Sequence, residues 1–176
     1  MELRPAIQIQ VILKAMTDVI VPALAPDNRL AQEQSQLVIG MLNILAQRLP
    51  LMYRYDRDEL ARSLALVDTL REQARPWPAA QAALQALEHS AAAGRDVLDR
   101  AQADPAELES ANGALRAQLG TLISALYTDS DMSPLTHLSQ TLTAHAKEQL
   151  LRERAWVVLQ GLDPDAKAVP PIETLI

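Results

Sequence analysis

The sequence contains no cysteine and no phenylalanine, and only five of its 176 residues are aromatic. Without cysteine there is no disulfide, no thiolate nucleophile and no thiolate metal site. Five glycines are too few for backbone cradles that hold phosphates, and no G-x-x-x-x-G-K-[ST], G-x-S-x-G or H-E-x-x-H motif occurs. Cations are in the minority: 16 Lys and Arg stand against 22 Asp and Glu, a net charge of −6. Phosphate backbones and anionic membranes both require clustered cations, so neither nucleic acid nor membrane is the expected partner. No stretch reads as about 20 apolar residues in a row, and no bilayer-spanning segment is expected. The opening "MELRPAIQIQVILKAM" makes a poor signal peptide, because Gln8, Gln10 and Lys14 break its apolar region. A cytoplasmic protein is the expectation.

What is abundant is leucine and alanine, 29 of each, against nine Ile and nine Val. Leu and Ala lose little entropy in a helix, whereas strands favour β-branched and aromatic residues. Composition therefore predicts an all-α fold. Prolines and capping residues divide the chain into six helical segments. The first begins at Pro5 and ends or kinks before Pro22. The second follows Asp27 or Asn28 as cap and runs to Leu49, ahead of Pro50. In "YDRDEL", Asp56 and Glu59 have capping-box spacing for a third helix, with Leu60, Leu64, Val67 and Leu70 on one face. "ARPWP" ends it, and Pro78 opens a fourth helix that contains Gly94. In "ADPAELE", Asp104 caps, Pro105 takes the first helical position, and Glu107 and Glu109 face the positive dipole end. Ser133 and Pro134 open the sixth helix, which ends near Gly161.

The expected architecture is an up-down bundle of about six antiparallel helices in one domain, residues 1–162. The link at Arg75–Pro78 divides it into halves 1–75 and 79–162, and the proline-rich 163–176 forms a tail that folds back or docks on a neighbour. The second helix changes character midway. "LVIGMLNILA", residues 37–46, is apolar around nearly its whole circumference, and a helix of that kind is normally enclosed by neighbours. Leu37, Val38, Gly40, Met41, Asn43 and Leu45 are therefore expected in the core or in an interface with a second copy. Gly40 would permit close approach of another helix, and a buried Asn43 would need a hydrogen-bond partner.

Catalytic chemistry is not visible. The di-metal pattern of helical bundles needs Glu-x-x-His pairs, and the residues three before His89, His137 and His145 are Ala86, Pro134 and Leu142. Neither a metal site nor a cofactor is expected. One short stretch, "QRLPLMYRYDRDE", gathers Arg48, Tyr53, Arg54, Tyr55 and Arg57 between two helices. Arg binds carboxylate or phosphate bidentately and Tyr stacks on flat groups, so these five residues are candidates for holding an anionic ligand. The plainer reading is that they answer Asp56, Asp58 and Glu59 beside them. The charged run "KEQLLRER" mixes signs and reads as a solvent face, with Trp156 after it, like Trp77, plugging a bundle end.

The segment "MTDVIVPALAPDNRLAQEQSQLVIGMLNILAQRLPL", residues 16–51, resembles the opening helices of a small bacterial all-helical family of unknown function, in its "DV-x-PAL" element and its apolar "ILAxxL"-type turn. The resemblance implies a bacterial, helical, accessory protein and brings no functional residue with it. The expected function is that of a non-enzymatic accessory or scaffold protein, acting as a homodimer and through contacts with other proteins. The alternative is a binder of a small amphipathic anionic ligand, such as an acyl chain or acyl-CoA-like molecule, in a groove between helices.

Overall fold

The computed structural model describes residues 4–128, 136–161 and 163–176. The fold is all-α, with six main helices and no strand among the described residues. Helix α1 spans Pro5–Ala15 and continues through a π-helical turn, Met16–Ile20, into a last turn at Val21–Ala23. The remaining helices are α2 (Arg29–Arg48), α3 (Met52–Ala74), α4 (Gln81–Asp99), α5 (Pro105–Thr128) and α6 (Thr136–Val157). The expected Ser133 cap and Pro134 lie outside the described residues.

Local chemistry explains most boundaries. Asn28 is the cap of α2, its side-chain oxygen accepting from the Ala31 amide at 3.1 Å. At α5, Asp104 Oδ1 accepts from the Ala106 amide at 2.8 Å while Glu107 accepts from the Asp104 amide at 3.3 Å, so the reciprocal box forms there. The 3₁₀ turn Val158–Gln160 stops at Gly161, which adopts φ +72°, a left-handed conformation that glycine reaches without a Cβ clash.

Two boundaries depart from the sequence expectation. Pro50 does not open a loop. It sits in a single 3₁₀ turn, Leu49–Leu51, and α3 resumes at once from Met52, because a proline at the start of a helical turn gives up an amide that has no partner anyway. Asp56 is consequently inside α3 and caps nothing. Likewise α1 passes Pro22, the wider π turn directly before it absorbing the missing amide.

The chain forms two compact units, Met1–Met52 with Leu151–Leu175, and Tyr53–Leu150 with Ile176. The Arg75–Pro78 link lies inside the second. That second unit is a well-filled helical core. Leu60, Leu64, Val67 and Leu70 of α3 meet Leu84, Leu87 and Ala91 of α4 and Leu108, Leu115, Leu122 and Leu126 of α5, with Trp77 packed at the edge. Each fully buried Leu contributes about 1.5–3 kcal/mol relative to exposure. Gly94 belongs to this packing, since a Cβ there would lie 3.3 Å from Leu60 Cδ1.

The first unit is built differently. Helix α1 packs on α2, and Ile9, Leu13, Ala155 and Ile172 are buried, but these are the unit's only buried apolar side chains among the described residues. Among the described residues 18 of the 22 buried apolar side chains belong to the second unit, whereas 13 of the 16 exposed large ones belong to the first. Pro5–Ala23 is also long and apolar enough to cross a membrane: 19 residues, mean hydropathy 1.4, 11 % buried. The expectation that no segment would pass that test is corrected. Its Ile and Val residues outweigh Gln8, Gln10, Lys14 and Asp18 in the average, although Lys14 and Asp18 form an exposed 3.0 Å ion pair midway.

Candidate functional site

The arginines between α2 and the start of α3 end on backbone carbonyls. Arg48, buried at the C-terminus of α2, donates from Nε to the Trp156 carbonyl at 2.9 Å and from Nη2 to the Ala155 carbonyl at 2.8 Å. Its guanidinium also lies 5.5 Å from the Trp156 ring centre. These are carbonyls of the last turn of α6, the negative end of its dipole, which attracts a cation. Burial lowers the Arg48 pKa from its ordinary value, and nearby Glu173 opposes that shift. Arg57 does the same for α4, donating to the carbonyls of Leu98 at 2.7 Å and Arg100 at 3.2 Å. Arg54 donates to the Ile176 carbonyl.

Of the five candidates for an anionic ligand, the structure brings Tyr53, Arg54 and Arg57 to one shallow depression of about 570 Å³, with Asp58, Leu98 and Ile176. Arg48 and Tyr55 do not line it. The Arg57 guanidinium is committed to helix ends, Arg54 turns to Ile176, and Asp58 sits among them, ion-paired to Arg62 at 2.7 Å. The depression has the residue types for anion binding but spends its donors on the fold.

A polar seam runs through the second unit that sequence reasoning did not single out. Asn112, 2 % exposed, donates to the Asp56 carbonyl at 2.9 Å, leaving its own Oδ1 without a hydrogen bond. Asp56 has a raised pKa, chiefly through burial and then through Glu109, with Arg116 pulling it back. Glu59 is buried beside Arg116 at 3.5 Å and accepts from Gln149 at 3.5 Å. No sequence signal marks Asn112, because a lone Asn in a Leu/Ala helix has the same pattern whether it faces in or out. Among the described residues no three His, Asp or Glu side chains are placed to share a metal ion.

A further feature is apolar. Leu37, Val38, Met41 and Leu45 of α2 are exposed, Met41 at 71 %, and Asn43 is exposed too, bonding back to its own helix at the Ile39 carbonyl, 3.0 Å away. Within the single chain these residues form no core, which was one of the two places expected for them. The half-buried line Ala31, Ser35, Ile39, Leu42 and Ala46 marks one packed flank of α2; across the helix Leu37, Met41 and Leu45 are open, while Ile44 is half-buried and Arg48 buried. Apart from its own helix backbone, no atom of the described residues lies within 4 Å of where a Cβ of Gly40 would be, so among them no helix uses the close approach that glycine permits. Instead Leu37, Gly40, Met41 and Ile44 border a groove of about 930 Å³, which Leu159 also lines. Its one charged residue is Glu33.

"KEQLLRER" is not wholly a solvent face. Arg152 is buried on the same flank of α6 as Ala155, three residues on, while Leu150 is exposed. No family model, curated protein or solved structure matches this chain, so the likeness of residues 16–51 to a bacterial helical family carries no further argument.

Proposed function

We propose that the chain is a non-enzymatic helical accessory protein that works by docking, and that its docking surface is the exposed apolar face of the first unit, met by a second copy of the chain. The observation that carries this reading is the uneven placement of apolar side chains. One unit buries its leucines, while the other holds 13 of the 16 exposed large apolar residues among the described residues. Scattered exposed apolar residues are ordinary, but a contiguous set on one helix face marks a contact surface. Removing each Leu or Met from water contributes about 1.5–3 kcal/mol. Residues 34–47 contain no charged residue, and charge depletion is the compositional mark of an interface centre. A surface without charge also suits self-association, since two chains of net charge −6 repel least where neither is charged.

A second reading is favoured by the groove beside Gly40, whose size suits an acyl chain. Its lining argues against an anionic head group, because Glu33 is its only charge and the arginines once matched to that head are absent from it. Native mass spectrometry of the purified full chain separates the readings. A peak at twice 19.3 kDa without added mass supports docking to a copy. A monomer carrying a small molecule supports the groove. A bare monomer that floats with neutral lipid vesicles would replace both with membrane attachment.

A further inference from the structure

The exposed residues of α2 carry a symmetry that specifies how the second copy is seated. Leu37 and Leu45 lie four residues on either side of Met41, and Leu30 lies eleven before it; all four are exposed. At about 100° per residue, Leu30, Leu37 and Leu45 point within roughly 40° of Met41 around the α2 axis. From these positions we infer that the second copy binds as a two-fold partner with its α2 antiparallel to the first, the axis passing beside Met41. The inference rests on the self-docking reading above and adds the register.

Two further observations support that register. Leu37, Gly40, Met41 and Ile44 stand at i, i+3, i+4 and i+7, the four positions that form a hole for a knob from a facing helix. The hole is vacant in the single chain, open at Gly40, and centred next to Met41, so a two-fold partner delivers its own Met41 into it. The charge pattern selects the direction. In a parallel pair the two Glu33 carboxylates would stand side by side. In the antiparallel register about Met41 they are separated by about 24 Å along the helices, well beyond the ~8 Å screening length at physiological salt. The charge-free stretch 34–47 then lies against itself from end to end.

The absence of cysteine makes the register directly testable. Single variants Met41→Cys, Leu37→Cys and Leu45→Cys of the full chain are oxidised mildly, each alone, and an equal mixture of the last two is treated in the same way. All three sites are exposed, so the variants are expected to keep the wild-type circular dichroism. The expected result is a disulfide dimer in most of the Met41→Cys chains. Leu37→Cys and Leu45→Cys should each give at least fivefold less alone, while their mixture gives the mixed dimer. Efficient cross-linking of Leu37→Cys to itself would indicate parallel helices and overturn the inference. A 38.6 kDa particle by sedimentation with no cross-link at any of the three positions would also overturn it, while leaving self-docking through another face intact. A monomer in sedimentation would remove both.

Discussion

Two arginines of this chain work on the ends of other helices. Arg48 satisfies two carbonyls at the last turn of α6, which would otherwise be orphaned, and Arg57 satisfies two at the end of α4. Hydrogen bonds from a charged donor contribute about 1.5–3 kcal/mol, so Arg48→Ala is expected to lower stability by about 2–4 kcal/mol in urea denaturation. Arg48→Lys should recover only part of it, since lysine lacks the planar fork. A change in ligand binding without loss of stability would contradict the structural role. Arg154 makes a second fork, to Asp163 at 2.8 and 2.9 Å. That hydrogen bonding, helped by the Asp165 amide, holds the Asp163 carboxyl at about 2 against an ordinary 3.8. A depressed carboxylate supports the fold above its unfolded pKa, and the support is lost as pH falls through the folded one. Asp163→Asn should therefore be less stable than wild type above about pH 4 and converge with it near pH 2. Thermal unfolding followed across that range checks the sign.

Glycines in α2 and α4 separate helix propensity from packing. Gly40 faces open space in the single chain, so Gly40→Ala should raise the stability of the dilute monomer by about 0.5–1 kcal/mol through propensity. Gly94 already touches Leu60 and Leu64; Gly94→Ala gains the same propensity and loses much of it to a 3.3 Å contact. Gly94→Leu should cost about 1–3 kcal/mol by overpacking. Chemical denaturation of the three variants tests the contrast. Helices of this kind were readable in the sequence where caps and apolar spacing agreed, as at Asn28, at Asp104 and along the Leu108–Leu126 face of α5. In α6 the helix and its end near Gly161 were read, but not its inward face, which is largely polar. Helix α6 turns Leu138, Thr141, Gln149 and Arg152 inward, with Gln73 donating to Thr141 at 3.0 Å, and such a face has no apolar rhythm to follow. The reading failed at Pro50, because a proline that ends one helix and a proline that starts the next turn are the same letter.

For the molecule as a whole, composition was enough to indicate an all-α fold but not which leucines would be covered. "LVIGMLNILA" looks like a core helix because its residues are apolar on every side. In the single chain it packs mainly along one flank and leaves Leu37, Met41 and Leu45 exposed, and the sequence alone cannot distinguish a neighbour in the same chain from one in another. Met41→Arg places a charge at the centre of that exposed set. It should leave the leucine core of the second unit folded, with an unchanged helical circular dichroism, while abolishing association. The central claim is that a second copy covers the first unit's apolar face, and sedimentation equilibrium of the full wild-type chain at low micromolar concentration tests it most directly. A mass of twice 19.3 kDa that falls to 19.3 kDa in Met41→Arg is the predicted result; a wild-type chain that sediments as a 19.3 kDa monomer throughout would contradict it.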